Sequence, residues 1–341
     1  MSKKEIVIIN NEKISIVENN FYCDNIDIQT IPQDLSKNCE VTLIARNSKV
    51  KRERSINLSN IKVSSNILTF LINIFKTFKK KKSIYLIISV TPYTFFSYIL
   101  LFFWRKKIYL YLRSNGYEEY KEVLGFIGPV LYYVMFKLIS IGSIIIVCQK
   151  KLFKKNNNNL VFPSELTSIW LENFKKPNLD KPRLLYIGRM KVEKGIFSFI
   201  KMFEEMSPKI SLSIVGKEEN KKINNKRVHH IGSGFEASDL IKIYDEHNIF
   251  ILPSFTEAHP KVVDESLARL RPVIVFEEIH HIVQNNKEGI FVAKRNIESL
   301  TETINFIMEN YLKIQERMKK NKLPTKKEFI NQMINILNLG R

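Results

Sequence analysis

The stretch that decides the fold covers residues 249–275 and reads IFILPSFTEAHPKVVDESLARLRPVIV. Its first four residues, 249–252, are all apolar and predict a short buried strand, which Pro253 ends because proline has no N–H to donate to a sheet. Pro260 suits the first turn of a helix, and apolar residues then recur at three- and four-residue spacing until Pro272 ends that helix. The predicted order is therefore strand, loop, helix and a second strand.

The loop and the helix N-terminus of such a unit lie at the carboxyl ends of parallel strands, where open α/β sheets bind ligands. Free backbone N–H groups and the helix dipole favour an anion there, and the N–H groups of Ala258, His259 and Lys261 could contact a diphosphate. Glu257 and Glu265 could both face the same crevice, where carboxylates accept hydrogen bonds from hydroxyl groups. A site for a phosphate and several hydroxyls describes a nucleotide sugar.

Four landmarks in this half of the chain resemble a known family. Pro253-Ser254, Glu257, Glu265 and Ala268 resemble the E-x7-E signature of retaining family-4 glycosyltransferases with the GT-B fold. Upstream and in the family's order come its strand-Gly-Arg…Lys-Gly motif and its two intermediate strand ends, which are LLYIGR ending at Arg189 with Lys194-Gly195 after it, LSIVG ending at Gly216, and VHHIG ending at Gly232. Together these landmarks cover roughly residues 183–292.

The resemblance implies an α/β protein of the GT-B class, with two Rossmann-like domains facing a central cleft. Residues 1–155 would form an N-terminal, acceptor-side domain and residues 160–320 a C-terminal domain that binds the nucleotide sugar. Residues 321–341 would form a last helix that packs back on the first domain.

The resemblance also implies roles for individual residues. Arg189 and Lys194 would stabilise the departing diphosphate, since a guanidinium fork and an ammonium both suit phosphate oxygens. Glu257 would bind hydroxyls of the transferred sugar and Glu265 those of the ribose. The donor-binding residues would be Gly188, Arg189, Lys194, Gly216, Ile231, Ala258, His259, Lys261 and Glu265. We predict no metal site and no cofactor, a UDP-linked donor, and same-face attack that retains the anomeric configuration.

The sequence departs from the family pattern at several places. Ala258-His259-Pro260 stands where many relatives have Gly-Phe-Gly, so the path of this loop is not implied by the resemblance. We read residues 10–21 as a loop that lacks the usual glycine-rich turn, and residues 19–22 as either an acceptor-contacting loop or a structural turn. No His occurs between residues 1 and 228, so no general base of that kind can be assigned.

The end of a predicted strand at 108–112 offers acceptor-side candidates. Arg113, Asn115 and Glu118 follow this strand, and the carboxyl end of a sheet strand is a place that faces a site. These three residues would contact the acceptor, although a capped turn explains them nearly as well.

Net charge is the anomaly of the composition. The chain has 341 residues, enough for two domains, and its 54 Lys and Arg against 34 Asp and Glu leave a charge of +20. Such a surplus attracts either nucleic acid or an anionic membrane face. No helix-turn-helix or RNA-binding signature is present, so we do not expect nucleic acid as a partner. A composition rich in Lys, Asn and Ile could also reflect the base content of a genome.

Two basic and apolar segments favour the membrane. Residues 64–78 carry apolar side chains at helical spacing and lead into Lys79–Lys82, as in a helix lying on a bilayer, although a core-facing helix with a solvated tail also fits. Residues 83–104 have no charge, and their length nominates a transmembrane helix. Because Thr91-Pro92 divides them, we expect a strand and then a helix. An aromatic-rich helix at 129–140 would lie at lipid headgroups or in the core.

The cysteines and the N-terminus point to one compartment. Cys23, Cys39 and Cys148 are odd in number and widely spaced, which fits a reducing environment. The apolar run near the start is too short for a signal peptide. We expect a cytoplasmic protein, peripheral on the inner face of the membrane, that transfers sugar to a lipid-linked or growing surface glycan. A catalytically silent GT-B scaffold partnering another transferase is the alternative.

Overall fold

In the computed structural model of the protein, residues 4–79, 83–149, 152–153, 159–217, 225–285 and 287–339 are described. Contacts divide the chain into two units, one made of residues 1–162 and 327–341, the other of residues 163–326. The sequence predicts domain boundaries at 155–160 and 320–321. Each unit has its own sheet.

The described residues of the first unit form a nine-stranded sheet. Seven strands are parallel, in the order β5-β3-β1-β6-β7-β8-β9, and β2 and β4 extend the far end of β1 in antiparallel pairing. The strands are β1 (Glu5–Val17), β2 (Asn20–Cys23), β3 (Glu40–Asn47), β4 (Arg54–Ile56), β5 (Ile61–Ser64), β6 (Ile84–Ile88), β7 (Lys107–Leu112), β8 (Ser143–Val147) and β9 (Asn159–Leu160).

Three helices of this unit cover one face of the sheet. The helices before the second unit are α1 (Ile26–Leu35), α2 (Ile67–Phe75), α3 (Pro92–Phe103), α4 (Gly116–Leu124) and α5 (Ile127–Gly142). Asn66 with Thr69 and Thr91 with Thr94 form capping boxes, which explains where α2 and α3 begin. Helices α2, α3 and α5 then bury Ile74, Leu101, Ile139 and their neighbours in one core with Val7 and Ile87 of the sheet.

The prediction of a loop at residues 10–21 is wrong. Strand β1 continues to Val17, and a turn with left-handed backbone at Glu18 and Asn19 leads into β2. The extension is stable because Ile14 is fully buried and pairs with Asn47 of β3, while Ser15 pairs with Tyr22. Residues 19–22 are thus the turn and second strand of a hairpin, which agrees with the structural alternative for them.

The uncharged stretch at 83–104 forms β6 and then α3, as predicted from Thr91-Pro92. None of the helices in the described ranges is long and apolar enough to cross a membrane. The predicted helix at 64–78 is α2 followed by a short 3₁₀ helix at 76–79. Lys80–Lys82 lie outside the described residues. The polar residues 150–159 predict a linker between the domains, and of these residues 150, 151 and 154–158 also lie outside the described residues.

The second unit is an all-parallel sheet in the order β12-β11-β10-β13-β14-β15. Its strands are β10 (Arg183–Ile187), β11 (Ser211–Val215), β12 (Val228–Gly232), β13 (Ile249–Leu252), β14 (Val273–Phe276) and β15 (Ile290–Ala293). Strand order reverses between β10 and β13, and ligands of open α/β sheets bind at such a switch point. The strand predicted at 249–252 and the second strand predicted after Pro272 are confirmed as β13 and β14.

The remaining helices follow in chain order. They are α6 (Ile196–Glu204), α7 (Ala237–Glu246), α8 (Lys261–Ala268), α9 (Ile297–Glu309), α10 (Tyr311–Met318) and α11 (Lys326–Ile336). The sequence after β15 predicts one helix at about 297–312, but the structure has two, and Asn310 lies between them as the C-cap residue of α9 and the N-cap residue of α10. From residue 327 onwards α11 belongs to the first unit, where the Phe329 ring lies 6.4 Å from that of Tyr111.

Two buried arginines at the end of α8 hold the segment that enters the second unit. Arg269 donates to both carboxylate oxygens of Asp245, at 3.0 and 2.8 Å, and to the carbonyl oxygens of Trp170, Glu172 and Asn173. Arg271 donates to the carbonyl oxygens of Tyr244, Asp245, Arg269 and Lys175. Because both guanidinium groups are almost fully buried, these hydrogen bonds are what make their burial tolerable.

Candidate functional site

Two glycines bring three strand ends close together at the switch point. The Gly188 N–H donates to the Val215 carbonyl at 2.9 Å, and the Gly216 N–H donates to the Gly232 carbonyl at 2.8 Å. A Cβ atom on Gly216 would overlap the Gly188 carbonyl oxygen. Any larger residue at 216 would therefore separate the ends of β10 and β11, which form one side of the crevice.

The turn after β10 is joined to the loop after β13. Gly195 begins α6 with left-handed backbone, φ +65°, and a Cβ there would overlap the Pro253 carbonyl oxygen. The Phe255 N–H donates to the Glu193 carbonyl at 3.0 Å. Backbone contacts alone thus align the segments that carry Lys194 and Glu257.

Lys194 and Glu257 form an ion pair in this crevice. Lys194 Nζ lies 2.6 Å from Glu257 Oε1, and the Ser254 hydroxyl donates to the same oxygen at 2.7 Å. The two side chains are 20% and 11% exposed, so the pair is shielded but reachable from solvent. The predicted catalytic Lys and Glu are therefore neighbours, although 63 positions separate them in sequence.

Arg189 lies on the same turn with its side chain exposed. Its backbone carbonyl accepts a hydrogen bond from the Tyr186 hydroxyl at 2.8 Å, which fixes the backbone where the guanidinium begins. Burial raises the pKa of Tyr186, and the negative charges of Glu257 and Glu193 raise it further while Arg189 opposes them. The Tyr186 hydroxyl therefore stays protonated and lies within the electrostatic reach of Arg189 and Glu257.

Glu265 points into the protein. It is 8% exposed, and its Oε2 accepts a hydrogen bond from the Tyr244 hydroxyl at 3.1 Å. Burial raises the pKa of Glu265 to about 7, although the Tyr244 hydrogen bond and the Lys261 charge act in the opposite direction. Its carboxyl group is therefore poised between its two protonation states near neutral pH.

Glu165 lies near the Glu265 carboxyl group and was not predicted from the sequence. Lys261 Nζ lies 2.8 Å from Glu165 Oε1, and Lys326 Nζ lies 3.7 Å from Glu165 Oε2. The pairing ties the first turn of α8 to the start of the second unit. No motif signals Glu165, because it lies 96 positions from its partner Lys261 and outside the four landmarks.

Asp264 contacts the loop that carries the predicted backbone donors of Ala258 and His259. His259 Nε2 lies 3.3 Å from Asp264 Oδ2, and Lys287 forms an ion pair with Asp264 Oδ1. Burial by itself would raise the pKa of Asp264, but the contacts with His259 and Lys287 hold it below its ordinary value. The ionised carboxylate thus anchors His259, which stands where the family's central loop residue is commonly Phe.

Arg295 contacts the other side of the loop after β13 and was also not predicted from the sequence. Its guanidinium carbon lies 4.3 Å from the Phe255 ring centre and 4.4 Å from that of Phe276. Its Nη2 donates to the Pro253 carbonyl at 3.0 Å, and its Nε donates to Glu278 at 2.7 Å. Only its position two residues after the end of β15 could have indicated a role at the sheet edge.

The remaining donor-binding candidates lie on the same edge of this sheet. Ala258 is half-buried, and the Glu257 carbonyl before it lies 2.9 Å from His281 Nε2. Ile231 is 38% exposed near the end of β12, and His230 Nε2 lies 2.6 Å from the Gly216 carbonyl. Across the described ranges, no group of three or more His, Cys, Asp or Glu side chains could hold a metal ion. The metal-free site stays a prediction.

The three acceptor-side candidates lie in the first unit, at the carboxyl end of β7. Arg113 donates to Asp27 at 2.8 Å and to Asn25 at 3.2 Å, so its guanidinium holds the start of α1. The Asn115 side chain caps α4 by accepting from the Tyr117 N–H. Glu118 is exposed on the first turn of α4. Arg113 and Asn115 thus have structural partners, and contact with an acceptor stays a prediction for all three.

Part of the chain matches the sequence model of a known family. Residues 170–323 match the sequence model of the family described as glycosyl transferases group 1. The N,N'-diacetylbacillosaminyl-diphospho-undecaprenol alpha-1,3-N-acetylgalactosaminyltransferase of Campylobacter jejuni is 29% identical over an alignment of 160 residues, and the match covers 44% of this chain and 42% of that protein. The chain therefore spans less than half the length of this relative.

Solved structures match nearly the whole chain, and two of them show the shared fold. Sucrose-phosphate synthase from Thermosynechococcus elongatus has a TM-score of 0.72 at 15% identity, covering 98% of both chains. Anabaena HepE in complex with UDP and glucose has a TM-score of 0.69 at 11% identity, covering 98% of this chain and 99% of HepE. Identities this low establish the fold alone. The predicted GT-B fold class, with two Rossmann-like domains, is confirmed.

Proposed function

Since residues 170–323 match the sequence model of the glycosyl transferases group 1, we propose that this protein transfers a sugar from a UDP-linked donor to a lipid-linked or growing surface glycan. The reaction retains the anomeric configuration and needs no metal ion. The observation that carries the proposal is the pairing of Lys194 with Glu257 at the switch point of the second sheet, beside Arg189.

Arg189 and Lys194 stabilise the diphosphate as it leaves. Negative charge grows on the leaving phosphate during transfer, and cations already held in position lower the energy of that state more than mobile ones do. Lys194 is held by Glu257, and the backbone that carries Arg189 is held by Tyr186. Arg189 supplies its fork of donors from an exposed side chain, which is where an incoming nucleotide can reach it.

Glu257 binds hydroxyl groups of the transferred sugar. Its Oε1 is occupied by Lys194 and Ser254, so the carboxylate is held in one orientation while it accepts hydrogen bonds from the sugar. In this arrangement the carboxylate links the sugar to the cation that stabilises the diphosphate. No nucleophilic role is needed for Glu257.

Glu265 binds the ribose hydroxyls of the nucleotide. Tyr244 donates to Oε2, which orients the carboxyl group, and Lys261 contributes a positive charge nearby. Ribose hydroxyls that donate to the buried carboxylate favour its ionised form, because hydrogen bonds to a charged form stabilise it. UDP as the nucleotide is supported by HepE, whose structure holds UDP, and the lipid-linked acceptor by the name of the Campylobacter jejuni relative.

The acceptor end of the reaction belongs to the first unit. Glu118, exposed on α4, and the neighbouring residues Arg113 and Asn115 are the proposed acceptor-side contacts. The protein works on the cytoplasmic face of the membrane, where nucleotide sugars are available, and its net charge of +20 supports attraction to anionic lipid.

The test is donor binding followed by donor turnover. Thermal-shift screening of the purified chain with UDP, GDP and ADP sugars should show a rise in Tm with the UDP sugar, since a ligand that binds the native state stabilises it. Arg189→Ala and Glu257→Ala should then slow donor turnover. Arg317→Ala and Glu316→Ala, at exposed positions of α10, are the matched controls.

If Arg189→Ala and Glu257→Ala turned over donor as fast as wild type, the proposal that these residues form the donor site would be wrong. A UDP sugar that raises Tm but is never hydrolysed or transferred would favour the silent scaffold instead.

A further inference from the structure

Helix α5 is apolar on both of its faces. Its inner face buries Tyr132, Met135 and Ile139 in the core of the first unit. Its outer face carries exposed apolar side chains at three- and four-residue spacing, namely Ile127, Val130, Leu131, Val134, Leu138 and Ile141. A helix that is hydrophobic all round is normally buried on every side. The outer face of α5 therefore has the composition of a buried surface, although no part of this chain covers it within the described residues.

The exposed apolar surface continues beyond α5 at both ends. A Cβ on Gly142 would approach the Phe102 ring to 2.7 Å, so the end of α5 adjoins the end of α3, where Phe103 is 73% exposed. The Trp104 ring lies 5.6 Å from that of Phe75 on α2. At the other end, the turn before α5 exposes 86% of Phe126. We call Phe75, Phe103, Trp104, Phe126 and the outer face of α5 the outer surface.

The positive charge of the protein is concentrated in the same part of the chain. Between Arg54 and Ser164 the only acidic residues are Glu118, Glu119 and Glu122, against seventeen Lys and Arg residues. Seventeen minus three leaves fourteen of the twenty surplus positive charges in this third of the sequence. A bias of genome composition would spread Lys along the whole chain, so this concentration argues for a specific partner of negative charge.

Cations lie against aromatic rings beside the outer surface, where Tyr133 belongs to α5 and the Phe78 ring lies 5.8 Å from that of Trp104. Lys137 Nζ lies 5.6 Å from the centre of the Tyr133 ring on α5, and Lys106 Nζ lies 4.6 Å from that of Phe78. Long Lys side chains can keep their ammonium groups among headgroups while their stems and the neighbouring rings lie deeper. This is the side-chain arrangement of an interfacial helix lying in the plane of a bilayer.

We propose that the outer surface docks on an anionic lipid bilayer, with α5 lying in the membrane plane and the side chains of Phe126, Val130, Val134 and Ile141 inserted among the lipids. A second copy of the chain would bring like charges together and is disfavoured for that reason. The inference deepens the proposed membrane setting and rests on it, but it does not depend on the donor chemistry of the second unit.

The test is co-sedimentation of the full chain with lipid vesicles. Wild type should bind vesicles containing phosphatidylglycerol, bind phosphatidylcholine vesicles at least tenfold more weakly, and dissociate as salt is raised. Val130→Glu combined with Val134→Glu should weaken binding to the anionic vesicles at least tenfold. Leu312→Glu, at an exposed apolar position of α10 in the second unit, is the matched control and should bind like wild type.

Equal binding by the double variant and wild type overturns the proposal, as does a wild type that ignores anionic vesicles. A concentration-dependent dimer in analytical ultracentrifugation, lost in the double variant while vesicle binding is unchanged, would assign the surface to a second copy. Donor turnover measured without vesicles separates this result from failure of the proposed transferase activity, since the double variant should turn over donor as wild type does.

Discussion

The Lys194 ammonium lies 2.6 Å from Glu257 Oε1, and this contact joins the turn after β10 to the loop after β13. Both side chains are largely buried, at 20% and 11% exposed, so the ion pair replaces part of the hydration that each charge loses and fixes the position of both groups.

Replacing Lys194 by Ala should lower the turnover of saturating donor by about 10²–10³-fold, which is the usual cost of losing one group that stabilises a developing anion. The measurement is release of nucleoside diphosphate from the preferred donor sugar. Lys201→Ala, at an exposed position on the adjoining helix α6, should turn over donor normally. If both variants behaved alike, Lys194 would have no role in transfer.

Glu265 should make stability depend on pH in an unusual direction. Its pKa is raised from 4.5 to about 7 in the folded protein, so folding favours the protonated form. Stability from this group is complete below pH 4.5 and is lost as the pH rises through 7.

Glu265→Gln should therefore melt at a higher temperature than wild type above neutral pH and lose that advantage in mild acid. Thermal melts at several pH values check this, with Glu316→Gln at an exposed site as the control. A wild type and a Glu265→Gln variant whose melting temperatures run parallel across this range would contradict the buried environment of Glu265.

Asp245→Ala should destabilise the second unit by roughly 3–5 kcal/mol, because it leaves the buried guanidinium of Arg269 without its counter-ion. Chemical denaturation of the full chain measures the change. Asp239→Ala is a close control, since Asp239 lies on the same helix and forms an exposed pair with Lys242. A similar, small loss for both variants would mean that the buried pair contributes little.

Gly195→Ala should impair both stability and turnover. Gly195 has left-handed backbone with φ +65° and ψ 3°, so Ala there carries a strain of about 1–2 kcal/mol. Gly125 also has a positive φ, +63°, but its ψ is −143°, a region that glycine alone populates readily, so Ala at Gly125 is strained at least as much. Only at Gly195 would the new Cβ overlap a neighbour, the Pro253 carbonyl oxygen, while Gly125 has open space around it.

Gly125→Ala therefore measures the backbone strain alone. Gly195→Ala should lose at least tenfold more donor turnover than Gly125→Ala, because the overlap displaces the start of α6 from the Pro253 loop. Matching losses in the two variants would show that the close approach at Gly195 does not hold the site together.

Much of the second unit could be predicted from its sequence. The apolar runs at 249–252 and 273–276 become strands, and the helix between them lies within the two prolines that bound it. The first unit was harder to predict. Because the extension of β1 contains polar residues, that part of the strand was predicted as a loop. The alternation around Ile14 and Ser15 is the signal that could have revealed that strand.

The pairings at the candidate site could not be predicted to the same extent. Glu165 with Lys261, and Lys287 with Asp264, join positions that are distant in sequence, and nothing in the spacing of either residue points to its partner. Arg269 reads as an ordinary surface charge at the end of an amphipathic helix, yet it is almost fully buried. Burial of a charge depends on which segments cover it, and that is a property of the assembled unit.

By itself the sequence determined the strand and helix order of the second unit, its family landmarks and the excess of positive charge, because periodicity, proline positions and composition act locally along the chain. The tertiary structure alone decided that Lys194 meets Glu257, that burial raises the pKa of Glu265 to about 7, and that α5 keeps an apolar face exposed. All three features depend on the tertiary arrangement. The order of strands and the packing of helices bring distant segments together, and they determine which side chains are buried and which neighbours they contact.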